Sequence, residues 1–494
     1  MYWLGLDIGT GATRALLVDE KGNVKAGCSA AHAEMTMAQP LWAEQDPDDW
    51  WRAAQQAIRG VLAEAGVDGS AVQGVGFSGQ MHGLVMLDQG GKVIRPSLIW
   101  CDQRSQPQVD EIHTKLGREN VVRWTANPAL TGFTLPKLLW VRQHDPASFA
   151  QLATVLVPKD YVRFKLSGER AHDVSDASGT GAFAVAERTW SWDVIDGLGL
   201  DRAFFPPVYE SSAVAGKVSA EAAALTGLRE GTPLAAGAGD QAASGVGNGI
   251  VRAGIASCTL GTSGVVFAHT EAPAYDPAGR VHTFCHAVPG KWHVMGVTQG
   301  AGLSLQWFRK TLAPERNYDE LMQEAVQVPA GSEGLYWLPY LMGERTPHLD
   351  PLARGAWLGF TARHCRGHLV RSLVEGVSYS QRDCLDVILE LGAEVNSVRA
   401  SGGGARSPFW RQMLADVFAC RVTTLASQEG SALGAALLGM VATGHYATVE
   451  EACAAAVVEA DSLDPQMQST QVYARGYEVF RTLYPTLKST FPML

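Results

Sequence analysis

One repeated unit constrains this chain more than any other feature. Leu4-Gly5-Leu6-Asp7-Ile8-Gly9-Thr10-Gly11-Ala12-Thr13-Arg14 is a short apolar run that delivers an aspartate into a glycine turn, and Ala15-Leu16-Leu17-Val18 continues it as a second strand. Cys258-Thr259-Leu260-Gly261-Thr262-Ser263-Gly264-Val265-Val266-Phe267 is again strand, Gly-Thr turn and strand, about 250 residues later, or roughly half the chain. Each copy opens a long stretch of alternating apolar runs and amphipathic segments, as a duplicated two-lobe α/β architecture requires. With 494 residues the chain is too long for a single hydrophobic core. Such turns expose backbone N–H groups, and two of them facing each other would clamp one triphosphate.

The residues after the first turn separate three kinds of phosphate loop. A dinucleotide fingerprint needs a third small residue and then a helix, whereas Arg14 stands there and a second strand comes next. A Walker A loop needs Gly-Lys before Ser or Thr, but Lys92, Lys217 and Lys291, the lysines that follow glycine, precede Val, Val and Trp. A hairpin whose turn grips phosphate remains, with Asp7 beside it to hold Mg²⁺ through water; an ordinary glycine-rich hairpin stays open as the alternative.

Three further segments carry chemistry. Pro233 to Gly245 reads as a buried strand ending in a tight turn with Asp240 at a helix start, either as a simple N-cap or as a group with room for a ligand beside it. Ser401-Gly402-Gly403-Gly404-Ala405-Arg406-Ser407 lets a flat ring such as adenine lie on the backbone. Gly79-Gln80-Met81-His82-Gly83 and Trp100-Cys101-Asp102-Gln103-Arg104 mix short polar groups with aromatic faces, as sugar sites do, although a lone histidine such as His82 is more often a packing residue. There is no Gly-x-Ser-x-Gly elbow, so serine hydrolase chemistry has no support.

Composition removes other classes. Apolar residues make up 46% and charged residues 18%, which argues for globular burial and against disorder. The net charge is −10 with no basic run, so nucleic acid is not an expected partner. The least charged stretches, Gly254 to Thr270 and Ser431 to Gly444, are interrupted and fall short of the roughly 20 apolar residues of a membrane span. Residues 1 to 20 have no basic start or apolar targeting core, and a cytoplasmic protein is expected. The eight cysteines are scattered, no two closer than nineteen residues, and read as reduced thiols. His282, Cys285, His286 and His293 lack a second ligand cluster, so zinc is not expected.

These residues resemble the FGGY carbohydrate kinases of the actin-like ATPase superfamily over nearly the whole chain. Gly132-Phe133-Thr134-Leu135-Pro136-Lys137-Leu138-Leu139-Trp140-Val141-Arg142-Gln143-His144 is similar to the family's first signature. Gly355 to Phe360, His368-Leu369 and Ser372-Leu373-Val374-Glu375 resemble the second, with Phe360 where an aliphatic residue is usual. Trp42 to Pro47, Gly79 to Gly83, Pro158-Lys159-Asp160-Tyr161 and Gly343-Glu344-Arg345-Thr346-Pro347-His348 resemble the branch that phosphorylates D-xylulose. The glycerol branch has Arg-Glu where this chain has Met81 and His82; another ketose, ribulose or a hexulose, stays as the alternative.

The resemblance implies a two-lobed, ribonuclease H-like α/β fold, each lobe a mixed sheet flanked by helices around a cleft. It places a sugar-binding lobe with the first phosphate hairpin at 1–247 and a lobe with the second hairpin and the adenosine site at 248–494. It implies in-line transfer of the ATP γ-phosphoryl group to the ketose 5-hydroxyl with Mg²⁺. Asp240 then matches the base and Asp7 the metal-associated carboxylate, both near the ion. Met81 and His82 match the sugar contacts, beside Gln80, Trp100, Asp102 and Gln241. Gly9, Thr10, Gly11, Thr13 and Arg14, with Gly261, Thr262 and Ser263, fall on the phosphate hairpins, and Gly402, Gly403, Gly404 and Ala405 on the nucleotide turn. Gln241, where Asn often follows the base, and Gly11, where Ser is common, depart from the family pattern. The expected partners are a small sugar and ATP, and a homodimer is compatible with the resemblance. A chaperone would need an appended peptide-binding domain, for which only about 60 helical-looking residues remain after Gly434, and a sugar sensor would lose the carboxylate that Asp240 retains.

Overall fold

Alternating apolar residues and a tight turn make the first hairpin. In the computed structural model, which describes Met1–Leu494, β1 (Tyr2–Ile8) and β2 (Ala12–Asp19) pair antiparallel about the turn at Gly9–Gly11, and β3 (Val24–Ala31) extends the ladder. Helix α1 (Pro47–Ala65) comes next. Asp46 caps it by accepting the Asp48 N–H, Pro47 opens it and Gly66 ends it in the left-handed region; Trp50, Ala54, Ala57, Ile58 and Val61 form its buried face. It leads to β4 (Val72–Gly79), which joins the free edge of β1 in parallel. Farther along the chain come helix α2 (Pro158–Ser167) and the strands β5 (Val214–Lys217), β6 (Pro233–Ala235) and β7 (Ala238–Gly239), and helix α3 (Asp240–Gly247) starts directly from β7. The first sheet runs β5-β6-β4-β1-β2-β3, with β7 also paired to β4.

The second half repeats this plan. β8 (Gly254–Leu260) and β9 (Gly264–Thr270) form the hairpin, β10 (His282–Cys285) and β11 (Trp292–Thr298) continue it antiparallel, and β12 (Val395–Ser401) runs parallel to β8 on its other side. β13 (Arg421–Leu425) and β14 (Glu459–Leu463) complete the order β10-β11-β9-β8-β12-β13-β14. The long helix α4 (Arg366–Glu390) is the spine of this lobe's core, burying Val370, Leu373, Val374, Val377 and Ile388.

One helix crosses the division drawn from the sequence. α5 (Gly430–Ala442), in the segment expected to form the second lobe, packs on the first sheet and on α3. Leu433, Ala436 and Leu437 share a cluster with Trp3, Leu16, Val18 and Val246. Backbones touch here: an added Cβ would lie 2.1 Å from Ala432 O at Gly5, 1.8 Å from Ala435 O at Gly76 and 1.9 Å from Ala243 O at Gly434. No helix is long and apolar enough to cross a membrane.

Candidate active site

Parallel pairing brings three segments to one edge of the first sheet. Asp7 on β1 and Ala238 on β7 both lie level with Ser78 of β4, and Ile8 and Gly239 lie level with Gly79. β1 and β7 flank β4, so their backbones stand about 10 Å apart. All three strands end here, passing into the Gly9–Gly11 turn, the Gln80–Gly83 run and helix α3. The phosphate turn, the sugar wall and Asp240 therefore share a crevice at the carboxyl ends of the strands.

Asp240 is the first residue of α3, and Gly239 occupies the cap position with no side chain to cap it. The plain N-cap reading of Asp240 is thereby corrected. Burial, followed by the charge of Asp7, raises its carboxyl to about 7 against the opposing pull of Gln241. Asp7 is also raised by burial, opposed first by the hydroxyl of Ser431. Ser431 Oγ donates to Asp7 Oδ2 at 2.6 Å, while Oδ1 is buried without a hydrogen-bond partner. Two neighbouring carboxylates, one with an uncommitted buried oxygen, suit a hard divalent cation.

His82 has φ 69, a left-handed conformation unfavourable for a side chain of its size, so its neighbours must hold it there. Thr134 Oγ1 and Lys137 Nζ donate to its carbonyl at 3.1 and 3.0 Å, and Phe133 stacks on its ring at 4.8 Å. The stretch from Gly132 thus builds the seat of His82. Nδ1 lies 2.7 Å from Gly179 O and is the donor; burial holds the imidazole down to about 3, so the ring is neutral. Met81 is buried against two glycines, since an added Cβ at Gly239 or Gly179 would come within 2.8 or 2.9 Å of its side chain. Trp100 is 43% exposed and donates its indole N–H to Thr10 Oγ1 at 3.0 Å, and Gln241 is half-buried beside Asp240.

Several expected contacts are otherwise engaged. Asp102 is wholly buried and its oxygens accept from Arg104 Nη2 at 2.7 Å and from the Ala43 N–H at 2.7 Å, so the expected sugar contact is corrected to an internal ion pair. Gln80 donates to Gly9 O at 3.3 Å and to Gln45 Oε1 at 3.0 Å, and shapes the phosphate turn instead of facing sugar. Thr13 is buried against His32, with 2.9 Å between Oγ1 and Nε2, and Arg14 pairs with Glu429 at 2.5 Å. The side chains of Thr13 and Arg14 are therefore not free for phosphate, which leaves Gly9, Thr10 and Gly11.

In the second lobe, the carbonyls of Gly261 and Thr262 accept the N–H groups of Gly302 and Leu303 at 2.8 and 3.1 Å, fixing the turn that ends at Ser263. Gly402 lies at φ 82, and an added Cβ would stand 2.6 Å from Leu260 O, so the third glycine turn abuts the second hairpin. A Cβ at Gly403 would meet nothing within 4 Å, while Ala405 is buried. His286 has both nitrogens engaged, near Ile250 O at 2.9 Å and the Val288 N–H at 3.0 Å, and His293 stacks on Phe267 at 4.4 Å.

Sequence reasoning missed three residues at this crevice. Ser431 lies 424 positions from Asp7 and carries no local signal. Lys137 sits in a recognised stretch without an assigned role. Arg345, exposed in the Gly343–His348 run, bears electrostatically on both His82 and His282, which puts a second-lobe cation on the sugar side.

Two duplicated mixed-sheet lobes around glycine turns and paired carboxylates define the architecture of an actin-like ATPase. The chain belongs to the FGGY family of carbohydrate kinases: the family's N-terminal domain matches residues 2–247 and its C-terminal domain residues 256–443. It is 37% identical to the xylulose kinase of Bacillus subtilis (strain 168) over 487 residues, 99% of this chain and 97% of that protein. It is 39% identical to the xylulose kinase of Escherichia coli (strain K12) over 488 residues, 98% of this chain and 99% of that protein. The crystal structure of xylulose kinase from Rhodospirillum rubrum superposes with a TM-score of 0.94 at 34% identity, covering 99% of this chain and 100% of that one.

Proposed function

We propose that this carbohydrate kinase transfers the γ-phosphoryl group of ATP to the 5-hydroxyl of D-xylulose, giving D-xylulose 5-phosphate. The observation that carries the reading is Asp240, a carboxylate at the strand ends beside Asp7 that caps no helix and has a proton affinity near neutrality. A general base works best with a pKa near the operating pH. Asp240 accepts the proton of the sugar hydroxyl as the oxygen attacks. Met81 and neutral His82 orient the sugar, and the backbone of the Gly9–Gly11 and Gly261–Ser263 turns holds the phosphates in line. Mg²⁺ fits Asp7 and Asp240, because the unpartnered Asp7 Oδ1 is a hard oxygen donor. When bound, it supplies neutralisation of phosphate charge. The choice of D-xylulose is supported by the Met81-His82 pair and by near-full-length similarity to xylulose kinases.

Asn in place of Asp240 keeps the shape and cannot accept the proton. Asp240→Asn is expected to lower kcat by about 10² to 10⁴ with an unchanged melting temperature and retained sugar binding by calorimetry. Turnover within about tenfold of the parent would remove Asp240 from the base role. In a coupled ADP-release assay, D-xylulose is expected to turn over faster than L-ribulose and glycerol; faster glycerol turnover would refute the sugar assignment.

A further inference from the structure

Behind the crevice lies a cluster of charges that takes no part in the proposed phosphoryl transfer. Lys159 Nζ stands 2.7 Å from both Asp160 Oδ1 and Asp173 Oδ1, and Arg163 Nη1 stands 2.9 Å from Asp160 Oδ1, all four side chains wholly buried. Burying ions costs several kcal/mol each, and apolar replacements of similar volume are often as stable, so stability alone is a poor reason for such a cluster. Its contacts point to another. Arg163 Nη1 donates to Ala236 O at 2.6 Å, Lys159 Nζ reaches the same oxygen at 3.5 Å, and three residues later the Gly239 N–H donates to Ser175 Oγ at 3.1 Å.

The direction of the Ser175 hydroxyl is set by its neighbours. Asp173 Oδ2 accepts the Ser175 N–H at 2.8 Å and the Ser175 O–H at 2.6 Å, so the single hydroxyl proton is committed and a lone pair is left for the Gly239 N–H. Gly239 is the cap residue of α3, and Asp240 is the next residue. Ser211 Oγ donates to the same Asp173 oxygen at 2.8 Å, but its side chain does not reach Gly239. The two hydroxyls share an anchor, and that of Ser175 alone accepts the Gly239 N–H.

We propose that Ser175, oriented by Asp173, is a positioning residue for phosphoryl transfer, fixing the Gly239 N–H and through it the backbone from which the Asp240 carboxylate projects. The proposal rests on Asp240 being the base. Misplacing a reacting group by about 1 Å can cost on the order of 10²-fold in rate; Asp240 follows Gly239 directly in the chain, whereas Met81 touches Gly239 only by packing and His82 is held through Gly179.

The test compares Ser175→Ala, Ser211→Ala and Asp240→Asn in the full chain with ATP, Mg²⁺ and D-xylulose. Ser175→Ala is expected to lower kcat by about ten- to a hundredfold with a smaller change in the sugar KM. Ser211→Ala, which loses the bond to Asp173 but leaves the Gly239 N–H paired, is expected to show a smaller drop in melting temperature and near-parental kcat. Equal kcat in the two serine variants, or a loss in Ser175→Ala carried only by KM, would overturn the positioning role while leaving the base assignment intact. Full activity in Asp240→Asn would overturn both. Should Ser175→Ala not fold, Ser175→Cys, which keeps the volume and weakens the acceptor, reads the same split.

Discussion

The two halves share a backbone plan and part company at one residue. Two positions before the turn glycine, the first half has Asp7 and the second Thr259, each level with a serine of the adjacent parallel strand, Ser78 and Ser401. In the second half the pair closes on itself, Thr259 Oγ1 lying 2.9 Å from Ser401 Oγ. In the first half Ser78 Oγ has no hydrogen-bond partner and Asp7 reaches across to Ser431. A hydroxyl pair is neutral and satisfied, whereas a buried carboxylate with a free oxygen invites a cation. Duplication supplies two phosphate turns, and a single substitution in one copy decides which of them carries charge.

One buried charge site in each half gives the next comparison and the largest expected effect. In the first half Lys159 and Arg163 surround Asp160 and Asp173; in the second Glu344 is buried among neutral donors, the N–H groups of Gln299 and Arg345, both at 2.8 Å. Lys159→Met leaves Asp173 without its cation and Asp160 with Arg163 alone, and is expected to cost about 3 to 5 kcal/mol in urea unfolding. A loss below about 1 kcal/mol would show that the cluster does not act as a unit. Glu344→Gln should behave in the opposite way. Burial pushes the Glu344 carboxyl up to about 8, so its protonated form favours the fold; that contribution is complete below the unfolded value of 4.5 and is lost as pH rises through about 8. Gln does not titrate, so its melting temperature relative to the parent should rise between pH 5 and pH 8, with a slope of at most about 1.4 kcal/mol per pH unit. A pH-independent difference would contradict the neutral state of Glu344.

Exchanging the side chains at the divergent position tests the comparison directly. Asp7→Asn is expected to lower activity about ten- to a hundredfold and to raise the Mg²⁺ concentration needed for half-maximal rate. Thr259→Val should cost about 1 kcal/mol or less of stability and leave the Mg²⁺ requirement alone. If both variants shifted the Mg²⁺ requirement equally, the division of labour would be wrong. The smallest expected effect separates two turn glycines. Gly402→Ala forces a left-handed alanine toward Leu260 O, about 1 to 2 kcal/mol of strain, and should raise the KM for ATP. Gly11→Ser places its Cβ where no atom lies within 4 Å and should leave that KM unchanged.

Much of this arrangement is legible in one sequence because its signals are local. Period-two apolar runs around Gly-Thr turns mark both hairpins, and small residues around Asp240 mark the strand end from which it emerges. The parts that are not legible depend on distance or burial. Thr13 and Arg14 sit beside the turn glycines in sequence, yet their partners are His32 and Glu429, the latter 415 residues away. Asp102 looks like a sugar ligand because a mixed polar and aromatic run does not reveal that Arg104, two residues on, neutralises it in the interior. α5 shows itself only as an uncharged, glycine-broken stretch; its place against the first sheet depends on backbone contacts at Gly5 and Gly76 that need three dimensions to be seen.

That helix also has a consequence for how the protein is made. Residues 430–442 cover the face of the first sheet that carries Trp3, Leu16 and Val18, so the earliest strands to leave the ribosome wait for one of the last segments. At about 5 to 20 residues per second, the interval between them is tens of seconds, during which that apolar face lacks the cover of this helix. A ribosome stalled between the two lobes would hold a first sheet whose native partner had not yet been made.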